Sequence, residues 1–286
     1  MIDLYTWTTP NGRKASILLE ELGLPHTAHA VDISKDEQFK PEFLKVSPNN
    51  RIPAIVDRDT GISLMESAAL MIYLADKTGK LLPKDGEPRY RVLEWLMWQM
   101  GGPGPIFGQV HHFVKYNKGK APYAEERFLK EAQRLYGVLD RRLADREFVA
   151  DNYSIADIAI WPWVSRYEWQ TVDLNTFPNV KRWYTTIARR PAVQKGYKVP
   201  KDVGEIDHQS RRFHQADAGI AVDDSGDAVV RADLQEFRFE LLVLAYVDRV
   251  RGIGQAELLE QNGSFAAVGG GPGVEIDHGS DSCARN

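Results

Sequence analysis

Ser47-Pro48-Asn49-Asn50-Arg51-Ile52-Pro53-Ala54-Ile55-Val56-Asp57, continued by Arg58-Asp59-Thr60-Gly61-Ile62-Ser63-Leu64-Met65-Glu66-Ser67, is the stretch on which the fold turns. Residues 52–57 and 62–65 are short apolar runs, and Asp59-Thr60-Gly61 between them is a hairpin signal. The period then changes: residues 66–77 read as an amphipathic helix that Gly79 stops. Toward the N-terminus, residues 41–46 form a short helix opening on Pro41, which suits a first helical turn. Residues 27–31 read as a strand, and residues 2–5 as another that Thr9-Pro10-Asn11-Gly12 breaks. A helix follows through Ile17, Leu18 and Leu22 to a stop at Gly23. Strand, helix, strand, helix, strand, strand, helix predicts an α/β domain over residues 1–79, a mixed four-stranded sheet with helices packed on it.

Beyond Gly79 the texture changes. Residues 80–88 form a polar linker with Pro83, Gly86 and Pro88, and residues 89–206 carry helical stripes without strands. An all-α second domain is expected there, with Gly101-Gly102-Pro103-Gly104-Pro105 as a bend in it. Residues 207–286 stand apart. They hold no lysine or tryptophan, whereas residues 1–206 hold 15 lysines and all seven tryptophans. The extension is net −7 and the rest net +3. One helix over residues 234–251 is its only regular pattern, and the glycine-rich end reads as disorder. Either a lid or partner-binding tail, or fortuitous coding sequence, fits it.

At 286 residues and 43% apolar, the chain is long enough for two cores. Its net charge of −4 leaves no electrostatic footprint for nucleic acid or an anionic membrane. The longest uninterrupted apolar run, residues 241–247, is too short to cross a bilayer. The first residues show no basic stretch and apolar core of a signal peptide. Cys283 is the single cysteine, so no intramolecular disulfide forms and a cytoplasmic location is expected.

Four features carry candidate chemistry, each beside a plainer reading. Thr9 and Asn11 sit where the first helix begins, and the open N–H groups there favour a thiolate or another anion. Either residue could instead simply cap the helix. Pro53 could follow a cis bond, which would turn the N–H and C=O of Ile52 outward to pair with an extended peptide. Alternatively, it is a trans proline that starts a strand. Glu66 and Ser67 fall at the strand-to-helix junction, where serine and free N–H groups suit a carboxylate and Glu66 an ammonium. Ser67 could also cap. Ser154-Ile155-Ala156-Asp157 is a capping-box variant and structural. Tyr5 belongs to the first strand's packing. His111 and His112 point about 100° apart on a helix and cannot clamp one metal; second-substrate pocket and packing are equally open to them. No Cys-x-x-Cys occurs, so the first domain has no dithiol of its own.

Taken in order, Thr9-Pro10-Asn11-Gly12, Gln38-Phe39-x-Pro41-Glu42-Phe43-Leu44, the Ser47 to Asp57 segment, Glu66-Ser67, Gln109-x-His111-His112-Phe113 and Tyr153 to Trp163 resemble the glutathione S-transferase family. The details are similar to its bacterial nu class, related to the folded domain of a yeast prion protein. The resemblance covers residues 1 to about 200 and implies a thioredoxin-like N-terminal domain before the helical one. By that resemblance Thr9 and Asn11 lie beside the glutathione sulfur, and Ile52 with cis Pro53 binds the cysteinyl backbone. Glu66 and Ser67 hold the γ-glutamyl group, Gln38 reaches the glycyl end, and Arg127 contacts glutathione from the helical domain; as a plain helix, Arg127 is a surface charge. The implied activity is a disulfide-bond oxidoreductase, with glutathione as co-substrate, a small disulfide or electrophile as its partner, a homodimer, and no metal or nicotinamide. Conjugation or thioether cleavage at the same site is the near alternative. A glutathione-binding regulator without turnover is the alternative from another class.

Overall fold

In the computed structural model, which describes residues 1–201, strand β1 (Ile2–Thr6) lies in the middle of the sheet. β2 (His26–Ala30) pairs with it in parallel, so the connection must cross over, and α1 (Pro10–Leu22) is that crossover. β3 (Ala54–Asp57) pairs antiparallel on the other side, and β4 (Ser63–Met65) closes the order β2-β1-β3-β4. α2 (Pro41–Leu44) and α3 (Ser67–Thr78) complete this part. β3 starts at Ala54 rather than at the expected residue 52, because Pro53 has no N–H to give the ladder. The end of β3 is pinned to α3: the fully buried Asp57 carboxylate accepts from Tyr73 Oη and Lys77 Nζ, each at 2.6 Å. Burial pulls its pKa upward, but Lys77, Tyr73 and the Asp59 N–H outweigh it and hold the group at about 2.

The helical part begins at Gly86, inside the stretch expected as linker. Asp85 is extended there, and Pro88 falls in the first turn, where no N–H is needed. α4 (Gly86–Gly101) ends at the glycine break, and α5 (Pro103–Val110) restarts on a proline and runs on into a π-helical turn, His111–Tyr116. α6 (Pro122–Arg142), α7 (Ile155–Val164), α8 (Pro178–Ala188) and α9 (Pro191–Tyr197) follow. The extension, with its expected helix and Cys283, lies outside the described residues.

A single apolar core joins the two parts, running from Ile2, Leu4 and Ile55 through α1 and α3 into the helices. α9 lies so close to α1 that a Cβ on Gly196 would sit 2.6 Å from Ile17 Cα, and Ser16 Oγ donates to the Gly196 carbonyl at 2.8 Å. At the same seam Arg190 grips the Glu21 carboxylate with bonds of 2.6 and 2.9 Å, and Tyr153 Oη donates to it at 3.0 Å. A smaller cluster of Val31, Phe43 and Ala54 covers the sheet's other face, with Tyr5 packed on it. α7 opens with the full capping box expected of Ser154 and Asp157.

Candidate functional site at the start of α1

The chain leaves β1 in an extended conformation and enters α1 through Thr9, whose Oγ1 accepts the Gly12 N–H at 3.1 Å. The capping reading of Thr9 is therefore realised, and the hydroxyl proton remains to be donated elsewhere. Glycine is required at position 12: a Cβ there would lie 2.1 Å from the Trp7 carbonyl oxygen. Asn11 is held from the helical domain, by Trp163 Nε1 donating to its Oδ1 at 3.1 Å. Because an indole N–H only donates, the amide oxygen must face Trp163, and the two Nδ2 donors stay outside that bond. Arg166, a turn further on, donates to the Thr8 carbonyl at 3.3 Å.

Behind this contact stands a packed polar row. Trp163 stacks on His111 with ring centroids 5.8 Å apart. Gln170 Nε2 lies 3.1 Å from His111 Nε2 and donates to the Trp163 carbonyl at 2.9 Å, while its Oε1 accepts from Tyr136 Oη at 2.6 Å. Gln170 Nε2 can only donate, so His111 Nε2 accepts and the ring is neutral. Burial, then Arg166 and Lys115, push the His111 pKa down to about 3. The structure thus places His111 in the packing that supports Trp163. His112 is half-buried, with Asn117 Nδ2 3.2 Å from its carbonyl oxygen. Tyr5 stacks on His29 at 4.7 Å, as a packing residue.

The other candidates gather near the ends of β3 and β4. Ile52–Pro53 is cis, and among the described residues no backbone hydrogen bond engages Ile52. Glu66 has φ 69°, a left-handed conformation that a non-glycine residue seldom adopts, and it accepts from Asn49 Nδ2 at 3.3 Å. Glu66, not Ser67, is the N-cap residue of α3, and no side chain caps that helix. Ser67 lies one residue inside, too far along to reach back as a cap. Its hydroxyl instead meets Lys14 Nζ at 3.3 Å. Gln38 is buried, with Oε1 unpartnered. Arg127 is exposed on α6, and among the described residues no hydrogen bond or ion pair joins it to this group.

Lys14, Trp163 and Arg166 escaped the reading of the sequence as site residues. Lys14 had left a signal, since it shares a helical face with Ile17 and Leu18, where a cation is out of place. Trp163 and Arg166 left none, because their contacts cross about 150 positions of sequence.

This arrangement has counterparts. Residues 8–77 match the family model for the glutathione S-transferase N-terminal domain, and residues 104–191 match that for the C-terminal domain. The disulfide-bond oxidoreductase YfcG of Escherichia coli is 50% identical over 198 residues, 67% of this chain and 92% of the relative. YghU of the same organism, also a disulfide-bond oxidoreductase, is 38% identical over 75% of this chain and 80% of the relative. A crystal structure of a glutathione transferase from Pseudomonas putida, with one glutathione disulfide bound per subunit, superposes with TM-score 0.66 and 46% identity, over 70% of this chain and 91% of that one. With both domain models matched in order, and half the residues of a near-full-length relative shared, the chain belongs to the glutathione S-transferase family.

Proposed function

We propose that the protein is a glutathione-dependent thiol–disulfide oxidoreductase in which bound glutathione supplies the reacting sulfur. The observation that carries this reading is the pair Thr9 and Asn11 at the open end of α1, in a stretch of 201 described residues without a cysteine. A free thiol of pKa about 8.5 is only a few per cent thiolate at neutral pH. The Thr9 hydroxyl, the Asn11 Nδ2 donors and the N-terminal end of α1 favour its ionised form. Glutathione disulfide or two glutathione molecules accompany the related structures from Pseudomonas putida and Burkholderia graminis, which supports a site shaped for both sides of the exchange.

The reaction balances without another redox partner. The glutathione thiolate attacks one sulfur of the substrate disulfide, a new S–S bond forms, and the old one breaks to release a thiolate that takes a proton. A second glutathione thiolate then attacks the glutathione sulfur of the mixed disulfide; the S–S bond of glutathione disulfide forms, the mixed S–S bond breaks, and the other half of the substrate leaves as a thiolate that takes a proton. Ile52, through its unengaged backbone groups beside Pro53, holds the cysteinyl residue in this reading. Glu66 and Ser67 hold the γ-glutamyl end, with Gln38 and Arg127 serving the rest of the peptide. A homodimer belongs to the same proposal, supported by Tyr90 and Met97 exposed on α4 at 70% and 49%, as does a cytoplasmic location.

Glutathione-dependent reduction of 2-hydroxyethyl disulfide tests the reading. Turnover well above the buffer rate that falls at least about tenfold in Asn11→Ala is expected. Glutathione binding without turnover would replace this function by thioether chemistry or by a binding role.

A further inference from the structure

The feature that the proposed chemistry leaves unexplained is Lys14. Its side chain is buried at 1% exposure between α1, α3 and α4. An ammonium has three donors and no acceptor. Lys14 gives one to Gln99 Oε1 at 2.7 Å, one to Ser67 Oγ at 3.3 Å, and approaches only the weak acceptor Met100 Sδ, at 3.7 Å, with the third. Among the described residues no carboxylate pairs with it. Of the groups around it, Ser67 on α3 and Gln99 and Met100 on α4 are neutral, and Glu66 before α3 acts only at a distance. Leaving a charge buried and unpaired is unfavourable, so a purely structural position here would be better filled by an apolar side chain.

The Ser67 hydroxyl links Lys14 to the start of α3. Since the ammonium can only donate, Ser67 Oγ is the acceptor in that bond, and its own proton must be directed elsewhere. Among the described residues it finds Met100 Sδ, a weak acceptor, at 3.6 Å. Ser67 is also the first residue of α3, whose opening N–H groups no side chain caps. An uncapped helix end, the hydroxyl of its first residue and a buried cation behind that hydroxyl suit a carboxylate.

We propose that Lys14 is the buried counter-cation for the α-carboxylate of the γ-glutamyl end of glutathione, acting through the Ser67 hydroxyl. The inference rests on the glutathione reading above and adds to it the residue that fixes the anionic end. Burial, partly countered by Glu66, lowers the Lys14 pKa to about 7 in the free protein. A carboxylate at Ser67 raises it again, so binding above neutral pH draws a proton onto Lys14.

The test compares two ligands on the full-length protein: glutathione, and 4-aminobutanoyl-cysteinylglycine, which lacks that one carboxylate. Wild type should bind glutathione at least about tenfold more tightly, and Lys14→Met should lose most of that preference while its Tm rises. Equal discrimination by wild type and Lys14→Met, or a lowered Tm with the preference intact, would overturn the proposal. A second measurement needs no variant. Calorimetry at pH 8 in buffers of different ionisation enthalpy, with S-methyl ligands to silence the thiol, should show uptake approaching one proton per site for S-methylglutathione. The S-methylated analogue without the carboxylate should show none, and equal uptake for the two would sink the idea. Wild type that does not bind glutathione at all would remove the functional reading itself, whereas failure confined to Lys14 leaves that reading standing.

Discussion

Trp163 reaches the candidate site from the helical part of the chain. Its indole N–H fixes the Asn11 amide with the oxygen inward, and the stack on His111 fixes the indole. Trp163→Phe keeps the ring and the stack but releases the amide. One hydrogen bond of this kind contributes about 1 kcal/mol, so kcat/KM for disulfide reduction should fall roughly fivefold. In an Asn11→Ala background the same change should have almost no effect, and a full loss in both backgrounds would show that Trp163 acts only through packing. The local half of the candidate site is the half that the sequence pointed to. Thr9, Asn11, Glu66 and Ser67 were legible because each sits at a junction between elements, where residue type and position speak together. Lys14 was not read, since an amphipathic helix tolerates a lysine unless its face is known to be covered.

Elements were easier to read than side chains, because their signals are local. The hairpin around Asp59-Thr60-Gly61, the crossover helix ending at Gly23 and the box at Ser154 all depend on neighbours within a few positions. Where β3 starts later than expected, at Ala54, the reason is written in the sequence, the missing N–H of Pro53. The capping box also separates two kinds of importance. Ser154→Ala removes a cap and should cost about 1 kcal/mol. Asp157 does more, accepting from the Val149 and Ser154 N–H groups, from Ser154 Oγ and from Trp183 Nε1 at 2.9–3.1 Å, all buried. Asp157→Ala strands those donors, and denaturant unfolding should show a loss of about 3 kcal/mol or more. Equal losses for the two variants would contradict this view of the network.

For the whole described molecule, the candidate site lies on the seam between two parts that share one core. α1 carries Asn11 and Lys14 and is clasped by α7 and α9, through Trp163 and through Gly196 with the Arg190–Glu21 pair. In the proposed function, this seam lets the helical domain tune a thiol bound at the start of α1. Ultraviolet thiolate absorbance of bound glutathione against pH measures that tuning directly. The pKa in wild type should lie well below the free value of about 8.5, and should rise toward it in Asn11→Ala. A bound thiol that titrates like free glutathione in both proteins would contradict the account.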